Sequence, residues 1–240
     1  MARAIGVIPA RGGSERLPGK NTRVIAGKPL VTYTIAAAKR ASSLSEVIVS
    51  TEDEGIARLA REYGSRVIMR PAELARSDSP IDDAMRHACD EAQRYDKTPI
   101  DIVVCMQANV PVRKESEIDE VVTRLRATPW VTAVATGYCV QQRPEWMKRI
   151  KDRAAMEIEP FMDAGTAYRT QDLPDLYLLD GAVVAVRTDV LRGTAGDRRV
   201  HAYMGERVLI VTHDPRYAVE VDEEPDVELA EFFLTRSLRT

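Results

Sequence analysis

Short apolar runs alternate with amphipathic helical patterns from residue 4 to about residue 136, and this alternation restricts the fold more than any other feature. Early runs such as Ile5–Ile8, Val47–Val49 and Ile102–Met106 are continuous instead of alternating with polar residues. Continuous apolar runs are typical of strands that helices cover on both faces. Because strands and helices follow one another, right-handed crossovers would bring the strands side by side. The sequence therefore predicts an α/β fold with a mostly parallel, twisted sheet.

Helix start signals lie between the apolar runs. Thr51-x-x-Glu54 has the pattern of a capping box, and Gly64 would end the helix that it begins. Ser79-Pro80 predicts another helix, with proline at its first helical position. Ser116-x-x-Asp119 predicts a further helix of the same amphipathic kind.

The alternation stops between residues 139 and 180, where Pro144, Pro160 and Pro174 interrupt any periodic pattern. It resumes at 182–186 and 208–211 and ends in a helix expected from about Pro225 to Leu238. A long irregular segment inside a compact domain is usually functional. We expect one domain over residues 1–240, with 139–180 as an inserted arm that acts as a lid or joins two copies.

Composition excludes several classes of protein. With 45% hydrophobic and 30% charged residues, the chain resembles globular proteins and not disordered, collagenous or coiled-coil sequences. A net charge of −3 offers no general attraction to nucleic acid or anionic membranes, and no apolar run approaches the roughly 18 residues of a membrane span. Three widely spaced cysteines suit neither a disulfide framework nor a zinc site. We expect a cytoplasmic protein that binds neither nucleic acid nor membranes.

The overall charge hides a local excess of cations. Residues 1–40 contain eight Lys or Arg residues and one acidic residue, and three of these cations lie in the loop Pro9–Asn21 after the first strand. Ligands of open α/β sheets bind beyond the carboxyl ends of the strands, where this loop emerges. The pair Gly12-Gly13 permits close backbone approach and exposes N–H groups. The loop is predicted to hold a polyphosphate; the alternative is an ordinary solvated turn.

Two common phosphate-binding motifs do not fit this loop. A P-loop has glycine separated by four residues from Gly-Lys-[Ser/Thr], but Ser14 stands at that position and Asn21 replaces the magnesium-binding hydroxyl. No Gly-x-Gly-x-x-Gly motif of a dinucleotide site is present.

The same loop carries a resemblance to a known family. It reads Pro-Ala-Arg-Gly-Gly-Ser-x-Arg-Leu-Pro-x-Lys-Asn over residues 9–21, which resembles the signature of the acylneuraminate cytidylyltransferases. Similar segments follow in order at 50–53, 70–74, 107–113, 169–174 and 220–222. The resemblance implies a Rossmann-like sheet flanked by helices, of the nucleotide-diphospho-sugar transferase type, with an extended dimerisation arm. The related 3-deoxy-manno-octulosonate cytidylyltransferases share this fold.

The resemblance implies roles for individual residues around the nucleotide. Matching nucleotide-binding positions are Ala10, Arg11, Gly12, Ser14, Lys20, Asn21, Arg70 and Gln107. Cytidylyl transfer is attack by the anomeric hydroxyl of a sugar on the α-phosphorus of CTP, with pyrophosphate leaving. Its barrier falls when the charge of the phosphates is neutralised. We expect Arg11 and Lys20 to be the catalytic cations.

A metal ion is expected because nucleoside triphosphates normally bind as magnesium complexes held by one or two carboxylates. Residues 218–231 contain seven acidic residues and no basic one. Glu220 and Asp222 would share one face of an extended segment, and they match two metal-binding aspartates of the family. We expect them to hold Mg²⁺, or Mn²⁺ in its place, although glutamate at the first position departs from the family pattern.

The sugar-binding positions depart most from the family. Thr170 stands where the sialic acid enzymes have a second arginine, and 178–181 reads Leu-Leu-Asp-Gly where Arg-Pro-Asn-Gly is usual. The segment 169–174 is more similar to the pseudaminic acid cytidylyltransferases. The expected sugar contacts are Gln107, Lys148, Arg169, Gln171 and Asp180.

The arm at 139–180 resembles the segment that two subunits of the family exchange, so the resemblance implies a homodimer. Its expected apolar contacts are Trp146, Met147, Phe161, Met162 and Tyr168. The three histidines show no metal-ligand spacing, and no role is predicted for them.

Three functions agree with these observations. The leading hypothesis is transfer of CMP from CTP to an acidic nine-carbon 2-keto sugar of the sialic, pseudaminic or legionaminic acid type. The alternatives are an enzyme of the same fold that uses another sugar acid, such as 3-deoxy-manno-octulosonate, or another nucleoside triphosphate, and a non-catalytic subunit that binds a nucleotide sugar.

Overall fold

The computed structural model describes residues 2–114, 116–163, 165 and 169–237. The strands and helices of these residues are β1 (Ala4–Pro9), β2 (Val24–Ile25), β3 (Lys28–Pro29), α1 (Leu30–Arg40), β4 (Glu46–Thr51), α2 (Glu54–Glu62), β5 (Arg66–Met69), α3 (Ile81–Tyr95), β6 (Ile102–Cys105), α4 (Glu117–Ala127), β7 (Ala133–Cys139), β8 (Lys148–Asp152), β9 (Glu157–Pro160), β10 (Tyr177–Arg187), α5 (Thr188–Gly193), β11 (Val208–Thr212) and α6 (Glu224–Ser237). Within the described residues, no helix is both long and apolar enough to cross a lipid bilayer.

A seven-stranded sheet in the order β11-β7-β10-β6-β1-β4-β5 runs through the described part of the chain. Strand β1 pairs in parallel with β4 and β6, β4 with β5, and β11 with β7. Strand β10 runs antiparallel to β6. The predicted α/β fold with a mostly parallel sheet is confirmed, and β1 lies at the centre of the parallel part.

Both faces of the sheet are covered. Ala4 and Ile8 of β1 belong to a core shared with α1 and α4, whereas Ile5 and Val7 belong to a second core shared with α3 and α5. Successive side chains of a strand point to opposite faces, so a strand buried on both faces needs an unbroken apolar run.

The helices begin close to their predicted positions, but their caps differ. The predicted capping box at Thr51 is wrong: Thr51 is the last residue of β4, and the carboxylate of Asp53 accepts the cap hydrogen bond from Ile56 N (2.8 Å). Pro80 precedes the first residue of α3 instead of occupying it. Pairing of β4 with β5 extends to Thr51 and Met69, and this tertiary contact delays the helix. Leu238, the expected end of the last helix, lies outside the described residues.

The Ser116 side chain forms no cap hydrogen bond at the start of α4. Asp119, its expected capping partner, accepts hydrogen bonds from the backbone of Ser42 (3.1 Å) and Ser43 (2.8 Å) after α1. The carboxylate thus joins two parts of the fold that are far apart in sequence.

The chain divides into two compact units. One comprises residues 1–137 and 179–240, and the other is Tyr138–Leu178. The second unit corresponds within two residues to the predicted arm at 139–180. It contains the antiparallel strands β8 and β9, which the sequence did not predict. Salt bridges Arg149–Glu159 and Lys151–Glu157 connect the two strands. A role in dimerisation stays a prediction.

Candidate active site

The loop that follows β1 is held by the strand behind it and by a small hydrophobic cluster. Ala10 N donates to Ser50 O (3.0 Å), which continues the pairing of β1 with β4. Leu17 is buried in a cluster with Val221, Val227 and other residues of the segment around the start of α6. These contacts bring the cationic loop to the acidic segment that contains Asp222, although Lys20 and Asp222 are 202 residues apart in sequence.

A cavity of about 280 Å³ opens beside this loop, where β1 and β6 end. Its lining includes these predicted nucleotide-binding residues: Arg11, Ser14, Lys20, Asn21, Arg70 and Gln107. Residues of the segment 74–84, together with Ala108 and Asn109, complete the wall. Strand ends of a parallel sheet meet at one edge, which is why residues so distant in sequence share a cavity.

Three of the lining cations differ in their partners. The Lys20 ammonium lies 2.6 Å from an oxygen of Asp222, and the buried Arg70 donates to one oxygen of Glu52 through Nε (3.0 Å) and Nη2 (2.9 Å). Arg11 contributes its carbonyl to Asn21, and its guanidinium has no hydrogen bond or ion pair with the residues that the structure describes. A guanidinium without a protein counter-charge is available to bind an incoming phosphate.

The sequence predicts that Gly12 presents its N–H group to a ligand, but the structure does not place it so. This N–H donates to Glu52 Oε1 (2.7 Å), and a Cβ at Gly12 would lie 2.6 Å from Asp53 Oδ2. A larger residue at position 12 would collide with the Asp53 side chain, so this position requires glycine. Glu52, which holds both Gly12 N and Arg70, ties the loop to β4 and had no predicted role.

Asn21 is buried and carries an unsatisfied acceptor. Its Nδ2 donates to Arg11 O (2.8 Å), whereas its Oδ1 has no hydrogen-bond partner in the described structure. A carbonyl oxygen repels phosphate oxygens and needs a donor. This atom therefore fits a hydroxyl or amino group of a bound ligand better than its triphosphate, which refines the predicted contact.

The pKa values of the two carboxylates predicted to bind metal are shifted in opposite directions. Partial burial alone would raise the pKa of Asp222, but Lys20 and Arg16, together with a hydrogen bond from Asn109, outweigh that effect and lower it. The pKa of Glu220 is raised, first because nearby protein atoms displace water from its carboxyl group, although the residue is exposed overall, and second because Asp222 is close. Among the residues that the structure describes, no group of three or more acidic, His or Cys side chains is arranged to hold a metal ion.

A comparison with protein families decides the assignment. The family described as cytidylyltransferase matches residues 5–178, a range that includes the cationic loop, Arg70 and Gln107. The chain belongs to this cytidylyltransferase family. It is a CTP-dependent nucleotidyltransferase, as the loop signature predicted.

Known relatives and solved structures resemble this cytidylyltransferase over most of the chain. The CMP-N,N'-diacetyllegionaminic acid synthase of Legionella pneumophila is 33% identical over 75% of the chain and 76% of the relative. The 3-deoxy-manno-octulosonate cytidylyltransferase of Arabidopsis thaliana is 36% identical over 60% of the chain, which spans 46% of that protein. A solved CMP:2-keto-3-deoxy-manno-octonic acid synthetase complexed with CTP has a TM-score of 0.71 and 20% identity, covering 98% of the chain and 100% of that structure. This likeness confirms the nucleotidyltransferase type of fold.

Three predicted sugar contacts of the cytidylyltransferase lie in the unit Tyr138–Leu178. Lys148 is exposed on β8, Gln171 lies in a short 3-10 turn, and Arg169 pairs with Asp172 (3.0 Å). Trp146, Met147, Phe161 and Met162 are exposed. Tyr168 lies outside the described residues.

Asp180 is placed differently from the prediction. Its side chain is 1% exposed, and its oxygens accept hydrogen bonds from Thr136 Oγ1 (2.6 Å), Ala182 N (2.8 Å) and the ring of His213. A carboxylate whose oxygens are used inside the protein cannot also bind a sugar, so we correct its predicted role to a structural one.

The sequence predicts no role for His213, but the structure places its ring between two buried carboxylates. A single histidine after a strand has no spacing that marks it, and its buried partners Glu117 and Asp180 are distant in sequence. Glu52 and Arg113 lie in segments of family similarity, but no pattern in the sequence marks either residue as functional.

Proposed function

We propose that the enzyme transfers CMP from CTP to the anomeric hydroxyl of an acidic nine-carbon 2-keto sugar, of the sialic, pseudaminic or legionaminic acid type, and releases pyrophosphate. The observation that carries this proposal is the cavity at the end of β1, lined by Arg11, Lys20 and Arg70, with Arg11 free of any described counter-charge. The relative from Legionella pneumophila, named for a legionaminic acid, supports the nine-carbon class.

The reaction needs positioning and charge neutralisation more than covalent chemistry. Arg11 binds the phosphates directly. Lys20 exchanges its contact with Asp222 for the phosphates and stabilises the negative charge of the departing pyrophosphate. Gln107, which also lines the cavity, offers an amide donor and an amide acceptor to the acceptor sugar.

The carboxylates Asp222 and Glu220 fit a hard divalent cation. The pKa of Glu220 is raised first because protein atoms displace water from its carboxyl group and second because Asp222 is near, and a divalent cation beside the two carboxylates would favour the charged form of Glu220. We infer that these residues hold Mg²⁺, or Mn²⁺ in its place, together with oxygens of CTP. The ion would neutralise charge on the phosphates.

A second acceptor, an eight-carbon acid such as 3-deoxy-manno-octulosonate, is favoured by the similarity to the Arabidopsis thaliana enzyme. The match covers 60% of the chain against 75% for the legionaminic acid relative, so we place it second.

Pyrophosphate release from CTP, Mg²⁺ and a panel of 2-keto sugar acids tests both acceptors. We expect turnover with at least one nine-carbon acid and a lower kcat/KM with the eight-carbon acid. The opposite order would overturn the proposed acceptor, and folded protein that is silent with the whole panel would contradict the proposed transfer. The same panel with ATP, GTP and UTP checks the preference for CTP.

We also infer that the enzyme acts as a homodimer. The unit Tyr138–Leu178 exposes large apolar side chains, including Ile150, Ile158 and Phe161. Exposed apolar groups concentrated in one small unit are typical of an interface between proteins.

A further inference from the structure

Three buried charged side chains, His213, Glu117 and Asp180, are in contact and join the segment after β11 to α4 and β10. The His213 ring contacts Glu117 through Nδ1 and Asp180 through Nε2, and all three side chains are at most 3% exposed. Each ring nitrogen faces a carboxylate oxygen, which can only accept. A neutral imidazole has a single N–H, so with Glu117 and Asp180 ionised this geometry needs the imidazolium form, with a proton on each nitrogen.

Asp180 connects this group to an Asx turn at Gly181, which lies inside β10. Its Oδ1 accepts from Ala182 N (2.8 Å), two residues further on, which closes the turn in which Gly181 adopts a φ of +66°. The carboxamide of Gln107 lies directly on this glycine: a Cβ at Gly181 would come within 2.2 Å of Gln107 Nε2. The backbone of the turn also accepts from Gln107 N through Gly181 O (3.3 Å).

Arg113 holds the same two segments from the other side. Its buried guanidinium donates to Gln107 O (2.6 Å) and to Ala182 O. Burial lowers the pKa of Arg113 to about 10, so it remains a cation at neutral pH. Two cations, Arg113 and His213, therefore balance the carboxylates Glu117 and Asp180, as buried charges require.

Within the described part of the chain, the other neighbours of His213 offer no substitute for its two contacts. Tyr217 packs beside the ring at 6.1 Å between centroids, and Asp214 lies next in the chain with its carboxylate on Arg216 (2.8 Å). Removal of the imidazolium would leave Asp180 and Glu117 as buried carboxylates that lack its hydrogen bonds.

We propose that His213 is a positioning residue: it ties the Asp180–Gly181 turn to α4 and thereby holds the Gln107 carboxamide where the acceptor sugar binds. The role rests on the proposed function, because Gln107 is assigned to the sugar there. His213 does not touch either substrate. Its effect on the reaction passes through Gly181 and Gln107.

Two substitutions separate the two contacts of the ring. In His213→Gln the amide nitrogen reaches the position of Nε2 and keeps a donor on Asp180, whereas in His213→Asn it reaches only the position of Nδ1. We expect His213→Asn to raise the KM for the acceptor sugar about 10-fold, with the KM for CTP changed less than about 2-fold. His213→Gln should recover most of the difference.

The Gln107→Ala background tests whether the effect passes through Gln107. There, His213→Asn should cause no further loss in kcat/KM, since the group that it positions is absent. Val211→Ala, a buried substitution two residues away on β11, is the matched control: it should lower stability and leave the KM for the sugar unchanged. Equal losses from His213→Asn in both backgrounds would overturn the proposal.

Crystal structures of the two His213 variants supply a readout that needs no substrate. The Gln107 carboxamide should leave Gly181 in His213→Asn and stay in His213→Gln. If it stays in both, the positioning role is wrong whatever the activity. If it moves as expected but wild-type protein turns over no sugar acid, the geometry stands and the proposed function fails.

Discussion

Arg11 and Lys20 carry the same charge in the same loop, but their surroundings give them different tasks. The Arg11 guanidinium has no partner among the described residues, whereas the Lys20 ammonium lies 2.6 Å from an oxygen of Asp222, and in the proposed reaction both cations bind phosphate. Asp222 compensates the charge of Lys20 when no ligand is bound, and in the proposed reaction a phosphate takes the place of Asp222. A difference of this kind depends on the residues brought beside each cation, not on the loop sequence.

Lys20→Ala is expected to lower kcat by roughly 10²- to 10³-fold, the usual effect of losing one preorganised donor to a developing charge. Pyrophosphate release at saturating CTP measures it. Lys39→Ala is the control, because Lys39 binds the carbonyl of Gly64 (2.7 Å) away from the cavity. A Lys20→Ala variant with nearly normal turnover would exclude Lys20 from the mechanism.

The titration of His213 should be visible in stability. Burial by itself lowers the pKa of His213, but hydrogen bonds with Asp180 and Glu117 outweigh it and raise the pKa from 6.5 to about 9. Because the folded protein binds this proton more tightly than the unfolded chain, its stabilisation is complete below pH 6.5 and is lost as pH rises to about 9.

We expect this loss to be on the order of 2 kcal/mol in the free energy of unfolding, measured by urea denaturation at several pH values. His213→Asn should remove most of the dependence in this window. Parallel pH profiles for the two proteins would contradict the charged state of His213.

At the scale of elements, local patterns located the strands and helices, while tertiary contacts decided their ends. Thr51 remains in β4 because it pairs with Met69, and Asp53 then caps α2. Asp119, which has the spacing of a capping residue, instead binds the backbone after α1. A capping pattern identifies side chains that are able to cap a helix, but such a side chain can instead bind the backbone of another element.

Glu52 connects the loop, β4 and Arg70, so its removal should disturb more than one element. Glu52→Ala leaves the Arg70 side chain, 4% exposed, without its carboxylate and frees Gly12 N. We expect the free energy of unfolding to fall by about 2 kcal/mol and the KM for CTP to rise. The control Glu54→Ala removes a carboxylate that is 76% exposed and should change stability by less than about 0.5 kcal/mol. Equal effects of the two substitutions would contradict this role of Glu52.

At the scale of the whole molecule, the two compact units differ in what covers their apolar groups. The described residues of the unit 1–137 and 179–240 include three clusters of buried apolar side chains, whereas Tyr138–Leu178 exposes Ile158 and Phe161 by 59% and 57%. The second unit is where association is expected.

Sedimentation equilibrium should give twice the chain mass of 26.7 kDa. Ile158→Glu combined with Phe161→Glu should shift the mass to that of one chain, because buried unpaired carboxylates oppose association. Val200→Glu, at a position 87% exposed in the other unit, should leave the mass unchanged. A dimer that survives the double substitution would contradict an interface through this unit.

The sequence by itself determined the alternation of strands and helices from residue 4 to about residue 136, the mostly parallel sheet and the position of the cationic loop after β1. Strand and helix patterns, glycine and proline act over a few residues, so they can be read without a structure. Only the tertiary structure decided that Asp222 neutralises Lys20, that Glu52 occupies Gly12 N, and that Asp180 and His213 are buried behind Gln107. The charge state and accessibility of a group depend on which distant segments surround it, and hydrophobic packing of the whole chain determines that arrangement.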